Sequence, residues 1–228
     1  MAIILSIDTS TSVCSVALTQ DGKQMDHIKV EEERSHANLL TTTIKELLDR
    51  NQIGFNELSA IAVSEGPGSY TGLRIGVSTA KALCYTLSIP LISISTLKAM
   101  ALELYEINPT ADHLAPMIDA RRMEVYTALY DTKLNELSPV QAKVLDKDSF
   151  GETLLSKGVL FGGDGSGKFE PLLENNPNGL FVNELSPSAW AVGLLAYEKF
   201  IKEEFEDVAY FEPFYLKEYR ATKSKPLL

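Results

Sequence analysis

The chain has 228 residues, 45% of them hydrophobic and 23% charged, a globular composition with enough apolar material for one large domain or two small lobes. Its formal net charge of -10 excludes a protein that grips nucleic acid phosphates tightly by itself. No apolar run approaches the roughly 20 residues of a membrane span, and residues 1–8 lack the basic flank of a signal peptide, so a soluble cytoplasmic protein is expected.

In chain order, residues 3–7 are a short apolar run that reads as a buried strand. Residues 13–19 form a second strand, Asp21-Gly22 signals a tight hairpin, and residues 23–30 form a third. Ser35 can cap a helix in which Ala37, Leu40, Ile44, Leu47 and Leu48 recur at helical spacing before Gly54. Residues 60–64 read as a strand feeding the loop Glu65-Gly66-Pro67-Gly68-Ser69, and a second helix spans 70–87. A strand at 90–94 and a helix at 96–106 complete this half.

The order then starts again. Residues 115–119, 124–130 and 140–145 read as strands, 148–155 as a helix and 159–161 as a strand. A short helix at 169–173, a strand at 180–182 and a helix at 189–204 follow. Ile7-Asp8 and Ile118-Asp119, and Ala17-Leu18 and Ala128-Leu129, repeat at one offset (118 − 7 = 128 − 17 = 111), which favours an internal duplication. A boundary at Asn108-Pro109 divides the chain into lobes 1–108 and 109–228. Two mixed sheets flanked by helices make this an α/β protein.

The most informative stretch is Gly66-Pro67-Gly68-Ser69-Tyr70-Thr71-Gly72-Leu73-Arg74-Ile75-Gly76. A strand ends in a glycine-rich loop that opens a helix, a geometry that holds an anion in some proteins and is a plain turn in others. Within the helix, Leu73, Val77, Ala80, Cys84 and Leu87 form an apolar face, and Gly72, Gly76 and Thr79 a small-residue face. Each interior Gly costs about 1 kcal/mol relative to Ala, so such a face admits another backbone, from the same lobe or from a partner.

Asp8-Thr9-Ser10-Thr11 offers a carboxylate and hydroxyls suited to a magnesium-bound nucleotide, or to an ordinary turn. Gly162-x4-Gly167-Lys168 fits a P-loop until Phe169, which stands where the magnesium-binding hydroxyl belongs, so a Walker A site is rejected. His27, His36 and His113 are far apart, and Cys14 and Cys84 follow no metal or redox spacing; no metal site and two reduced thiols are expected. Arg121 and Arg122 can reach an anion, an acidic partner or surface carboxylates. Lys217, Arg220, Lys223 and Lys225 form a basic tail that either meets RNA or is solvated.

The Gly-Pro-Gly-Ser-Tyr-Thr-Gly-Leu-Arg-Ile-Gly stretch with Ala80-Lys81-Ala82-Leu83 resembles the hallmark of the TsaB family, also called YeaZ. Ile7-Asp8-Thr9-Ser10-Thr11, Arg34-Ser35-His36-Ala37, Ile118-Asp119-Ala120-Arg121-Arg122, Glu124-Val125-Tyr126 and Glu212-Pro213-Phe214-Tyr215-Leu216 match it too. Ala82 departs from it, since many relatives carry Gly there. The resemblance implies two ribonuclease-H-like lobes of the actin-like (ASKHA) superfamily and no catalytic residues. It implies pairing with the catalytic TsaD subunit, joined by the ATPase TsaE, in forming threonylcarbamoyladenosine on tRNA, which the chain meets only through the complex. The implied partner contacts are Ser35, His36, Leu39, Leu40, Thr43, Gly72, Leu73, Gly76 and Thr79. Asp8, Thr9, Ser10, Gly163, Asp164 and Gly165 would be a nucleotide-binding remnant, with no resident cofactor and weak ATP or ADP binding confined to the complex. A homodimer through the same helices is expected when the chain is alone.

Two other readings have distinct requirements. A stand-alone ATPase or small-molecule kinase needs a magnesium site and a base, for which Asp8 and Asp119 are the candidates. A peptidase needs a metal pair or a Ser-His-acid arrangement, and no histidine here has such a context.

Overall fold

A computed structural model describes residues 1–31, 36–173, 176–182 and 184–217, with the side chains of 36–38 left out. Strands β1 (Ile3–Asp8), β2 (Val13–Gln20) and β3 (Lys23–Glu31) form an antiparallel meander. Asp21 and Gly22 both hold positive φ, 46° and 76°, the two-residue turn that matches strand twist. Helix α1 (His36–Asn51), β4 (Ala60–Gly66), α2 (Tyr70–Leu87), β5 (Leu91–Ser95) and α3 (Thr96–Ile107) follow, giving a sheet ordered β3-β2-β1-β4-β5.

The second half repeats this plan. Strands β6 (His113–Asp119), β7 (Glu124–Asp131) and β8 (Glu136–Val144) form the meander, and β9 (Val159–Gly162) and β10 (Gly179–Val182) add in parallel. The order β10-β9-β6-β7-β8 is the first sheet read from its other edge. The two lobes therefore share one topology. Between β8 and β9 the helix α4 is one turn, Gly151–Leu154, shorter than its sequence pattern, and 166–173 forms two 3₁₀ turns. The last helix, α5 (Ala189–Ile201), ends before the expected 204.

The register corrects one part of the repeat. Asp8 pairs with Ser15, but Asp119 pairs with Val125, so the second hairpin is one residue shorter. Ser6 faces Ala17 and its counterpart Met117 faces Thr127. The Ile-Asp repeat is thus structurally equivalent, whereas the Ala-Leu repeat lies one residue out of register.

The first sheet is covered on both faces. Leu40, Ile44, Leu47 and Leu48 of α1 and Val77, Ala80 and Cys84 of α2 pack on one side with Leu5, Ile7, Val16 and Leu18. On the other side lie Ala191, Val192, Leu195 and Ala196 of α5, from the far end of the chain. Helix α3 in turn buries Leu97, Met100, Ala101 and Leu104 against β6 and β7 residues of the second sheet. The two halves thus exchange their last helices. Side chains from elsewhere cap α5: the Ser188 amide donates to Glu103 and the Ala189 amide to Ser15, each at 3.0 Å. Residues 203–217 run back along the first lobe, bridging Leu91 through Glu206.

Candidate functional site

Between the lobes lies an open cleft of about 1130 Å³. The first lobe contributes Ser10, Thr11 and Ser12 from the β1–β2 turn and residues 68–71 at the start of α2. The second contributes Asp119, Arg121, Arg122 and Tyr126 from its hairpin, together with Asp164, and residues 215–217 reach in from the C-terminal segment.

Asp8, Thr9 and Ser10 come together here, but their polar groups turn inward. Asp8 is 1% exposed. Its Oδ1 accepts from the Ser10 amide at 3.0 Å and the Ser10 hydroxyl at 2.7 Å, and its Oδ2 accepts from the Ser64 hydroxyl. Burial pushes its carboxyl above the usual range, against the opposing pull of those hydrogen bonds. The Thr9 hydroxyl donates to the Gly72 carbonyl at 2.8 Å, and the Ser10 carbonyl accepts from the Ser69 amide at 2.6 Å. Ser69 caps α2 by accepting from the Gly72 amide.

This docking explains the glycines of α2. A Cβ at Gly72 would run into the Thr9 carbonyl oxygen, one at Gly76 into the Thr9 hydroxyl, and one at Gly68 into the Ser10 carbonyl. The backbone that approaches the small-residue face is the lobe's own hairpin. Gly72 and Gly76 are therefore core positions, which corrects their expected place at a partner surface. Leu40, Thr43 and Leu73 need the same correction: they are 0%, 4% and 1% exposed. Leu39 and Thr79 remain partly exposed, beside the outward-facing Thr41, Thr42, Ser78 and Ala82 and the 83% exposed Tyr85. Ser35 lies outside the described residues, and His36 begins α1 with a side chain that is not described.

Across the cleft, the Gly163-Asp164-Gly165 turn clamps the end of β6. Gly163 adopts φ 116°, where a Cβ would strike the Met117 carbonyl oxygen, and a Cβ at Gly165 would come within 2.7 Å of Val125. The Gly165 amide donates to the Met117 carbonyl at 3.1 Å. Asp164 accepts from the Asp119 amide at 2.8 Å, and burial raises its pKa. Asp119 is exposed, accepts from the Arg121 amide at 2.5 Å, and pairs with Lys168. The lysine of the P-loop-like stretch therefore serves as a partner of Asp119. Arg121 and Arg122, at φ 71° and 54°, present exposed side chains to the cleft.

Among the described residues no three His, Cys, Asp or Glu side chains gather as a metal site requires, and no helix is long and apolar enough to cross a membrane. Cys14 and Cys84 are buried free thiols, raised by burial to about 11 and about 12. Of the basic tail, Lys217 pairs with Glu124, while Arg220, Lys223 and Lys225 lie outside the described residues.

Sequence reasoning missed Ser64 and Glu103, and it gave Tyr215 and Leu216 only as part of a matching stretch, with no place in the cleft. Ser64 and Glu103 act through contacts distant in sequence, and no local pattern marks them. The aromatic density of Phe211, Phe214 and Tyr215 beyond the last helix was a usable sign that this segment packs.

Comparison with known proteins agrees with this architecture. A family model described as TsaD, tRNA N6-adenosine threonylcarbamoyltransferase, matches residues 30–223. The tRNA threonylcarbamoyladenosine biosynthesis protein TsaB of Haemophilus influenzae is 40% identical over 123 residues, which cover 54% of this chain and 51% of that protein. The chain thus spans about half the length of this curated relative. YeaZ from Pseudomonas aeruginosa superposes with a TM-score of 0.81 at 27% identity, over 95% of this chain and 100% of that one. An activator of 2-hydroxyisocaproyl-CoA dehydratase from Clostridium difficile, with bound ADPNP, shares the fold at 9% identity and a TM-score of 0.53, over 90% of this chain and 98% of that one.

Proposed function

This chain belongs to the tRNA N6-adenosine threonylcarbamoyltransferase (TsaD) family, in its TsaB (YeaZ) group, and on that premise we propose that it is a non-catalytic partner subunit in forming threonylcarbamoyladenosine on tRNA. The observation that carries the reading is the closed state of the β1–β2 turn. The carboxylate and hydroxyls that would turn towards a magnesium-bound nucleotide are spent on Ser64, Gly72 and each other. Chemistry then rests with a TsaD catalytic subunit, and the ATPase TsaE joins the pair. The chain works in the cytoplasm without a resident cofactor, binds adenine nucleotide weakly and only within the complex, and meets tRNA through its partners. The same buried state of Asp8 speaks against a stand-alone ATPase or kinase.

The surface left for a partner is the outward side of α1 and α2. Thr41, Thr42, Ser78 and Ala82 are small and exposed there, so a partner helix has room to approach, and Tyr85 supplies an apolar anchor. In the absence of a partner the same surface pairs with a second copy of the chain.

The test is light scattering after size exclusion of the chain with the TsaD protein of its own organism, beside an Ala82→Arg variant. The exposed arginine leaves the fold intact, and a one-to-one complex formed by the native chain is expected to be lost. Failure of the native chain to form a complex under any nucleotide condition overturns the partner reading. A complex that survives Ala82→Arg removes the α2 surface from the interface. Gly76→Arg is unsuitable here, because it would break the contact with Thr9 inside the lobe.

A further inference from the structure

The segment after α5 is held to the first lobe by four kinds of contact. The Glu206 amide donates to the Leu91 carbonyl at 2.9 Å, and the Ser93 hydroxyl donates to the Glu206 carboxylate at 2.6 Å. Val208 and Phe211 pack against the apolar core of the first lobe. Lys81 of α2 donates to the carbonyls of Ala209 and Phe211, at 3.2 and 2.8 Å. Finally the Phe214 amide donates to the Glu65 carbonyl at 2.7 Å, over Gly66, where a Cβ would come within 2.5 Å of the Phe214 oxygen.

Tyr215 still packs on the first lobe, against Tyr70 at the mouth of the cleft with ring centroids 4.7 Å apart, and the contacts change lobe only at Lys217. There Lys217 pairs with Glu124 of the second lobe and lies 5.9 Å from the centre of the Tyr126 ring. One continuous stretch is thus anchored on one side of the cleft and fastened on the other.

We propose that residues 203–217 are a strap that clips the two lobes together, so that an intramolecular contact sets the width of the cleft. The two ends of the strap differ in strength. The first-lobe end combines backbone hydrogen bonds with buried apolar contacts. The second-lobe end is an ion pair whose side chains are 40% and 24% exposed, the class worth about 0–1 kcal/mol and weakened by salt. Release therefore occurs at Lys217, while Phe211 and Phe214 stay seated. Unclipping withdraws Lys217 from the second-lobe wall of the cleft, leaves Tyr215 on Tyr70, and frees Glu124 beside Arg121 and Arg122.

The test places one label on each lobe, through Lys45→Cys on α1 and Leu155→Cys after α4. Both positions are exposed, and the buried native thiols stay unlabelled. In the native chain the distance distribution measured by pulsed electron resonance is expected to be narrow. Lys217→Glu sets two carboxylates against each other and should broaden the distribution towards longer distances. The charge exchange Lys217→Glu with Glu124→Lys should restore the narrow one. All substituted positions are at least partly exposed, so folding is retained, with circular dichroism as the check. Hydrogen exchange at residues 118–126 should speed up several-fold in Lys217→Glu and return to the native rate in the exchanged pair. An unchanged distance distribution and unchanged exchange in Lys217→Glu overturn the proposal, as does a Lys217→Glu change that the charge exchange fails to reverse.

Discussion

Asp8 and Asp119 occupy the same place in two copies of one topology, yet they live in opposite environments. Each ends the first strand of its meander and accepts a hydrogen bond from the amide two residues on, Ser10 in one lobe and Arg121 in the other. Asp8 is sealed inside the first lobe, accepts two hydroxyls, and has a raised pKa because burial disfavours its charge. Asp119 faces the cleft and is answered by a lysine at the surface. Duplication reproduces the backbone motif, and the neighbours decide whether the carboxylate is structural or available. Both lobes use glycine for close approach, Gly72 and Gly76 against the Asp8 hairpin and Gly163 and Gly165 against the end of β6, whereas Gly167 has open space around it.

The largest difference is expected between the close-contact Gly72 and the open Gly167. Gly72→Ala drives a methyl into the Thr9 carbonyl and should cost about 3 kcal/mol in urea unfolding. Gly167→Ala should be neutral or stabilise by about 0.5 kcal/mol through the unfolded state. Equal costs at both sites would refute the close-contact account. Next in size are the aspartates. Asp8→Ala strips the acceptor from buried donors on Ser10 and Ser64 and should cost about 2 kcal/mol, while Asp119→Ala should stay within about 0.5 kcal/mol. A larger loss at Asp119 would mean that the cleft hairpin carries more of the fold than its exposure suggests.

A pH dependence sharpens the contrast between buried and exposed carboxylates further. Glu103 is held at about 8, first by burial and then by the nearby charge of Asp8, against an ordinary value of 4.5. Between those values the folded chain holds the extra proton. Its contribution is complete below about 4.5 and is lost as pH rises through about 8, with a slope of at most about 1.4 kcal/mol per pH unit for one group. Glu103→Gln should flatten the fall in melting temperature over this window and raise stability at its alkaline end by about 1 kcal/mol. A variant whose melting temperature falls more steeply than that of the native chain would contradict the assignment.

Much of the plan was legible because it is written in local chemistry. The Asp21-Gly22 turn, the alternation of strands and helices, and the apolar faces of α1 and α2 all depend on residues near one another in the chain. Gly72 and Gly76 were readable as a place of close backbone approach. Which backbone approaches was not, since Thr9 stands some sixty residues away and nothing in the helix distinguishes it from a partner. The offset that matched Ala17-Leu18 with Ala128-Leu129 likewise missed a one-residue change in a turn, because identity alone carries no register.

The sequence by itself determined the order of elements, the repeated meander and the family, since propensity, turn chemistry and motif are properties of short stretches. Only the tertiary structure decided that Asp8 is closed off, that α3 and α5 each cover the other half's sheet, and that the C-terminal segment fastens one lobe to the other. Those outcomes depend on burial and on pairings between distant residues, which exist only once the chain has folded and water has been excluded from between them.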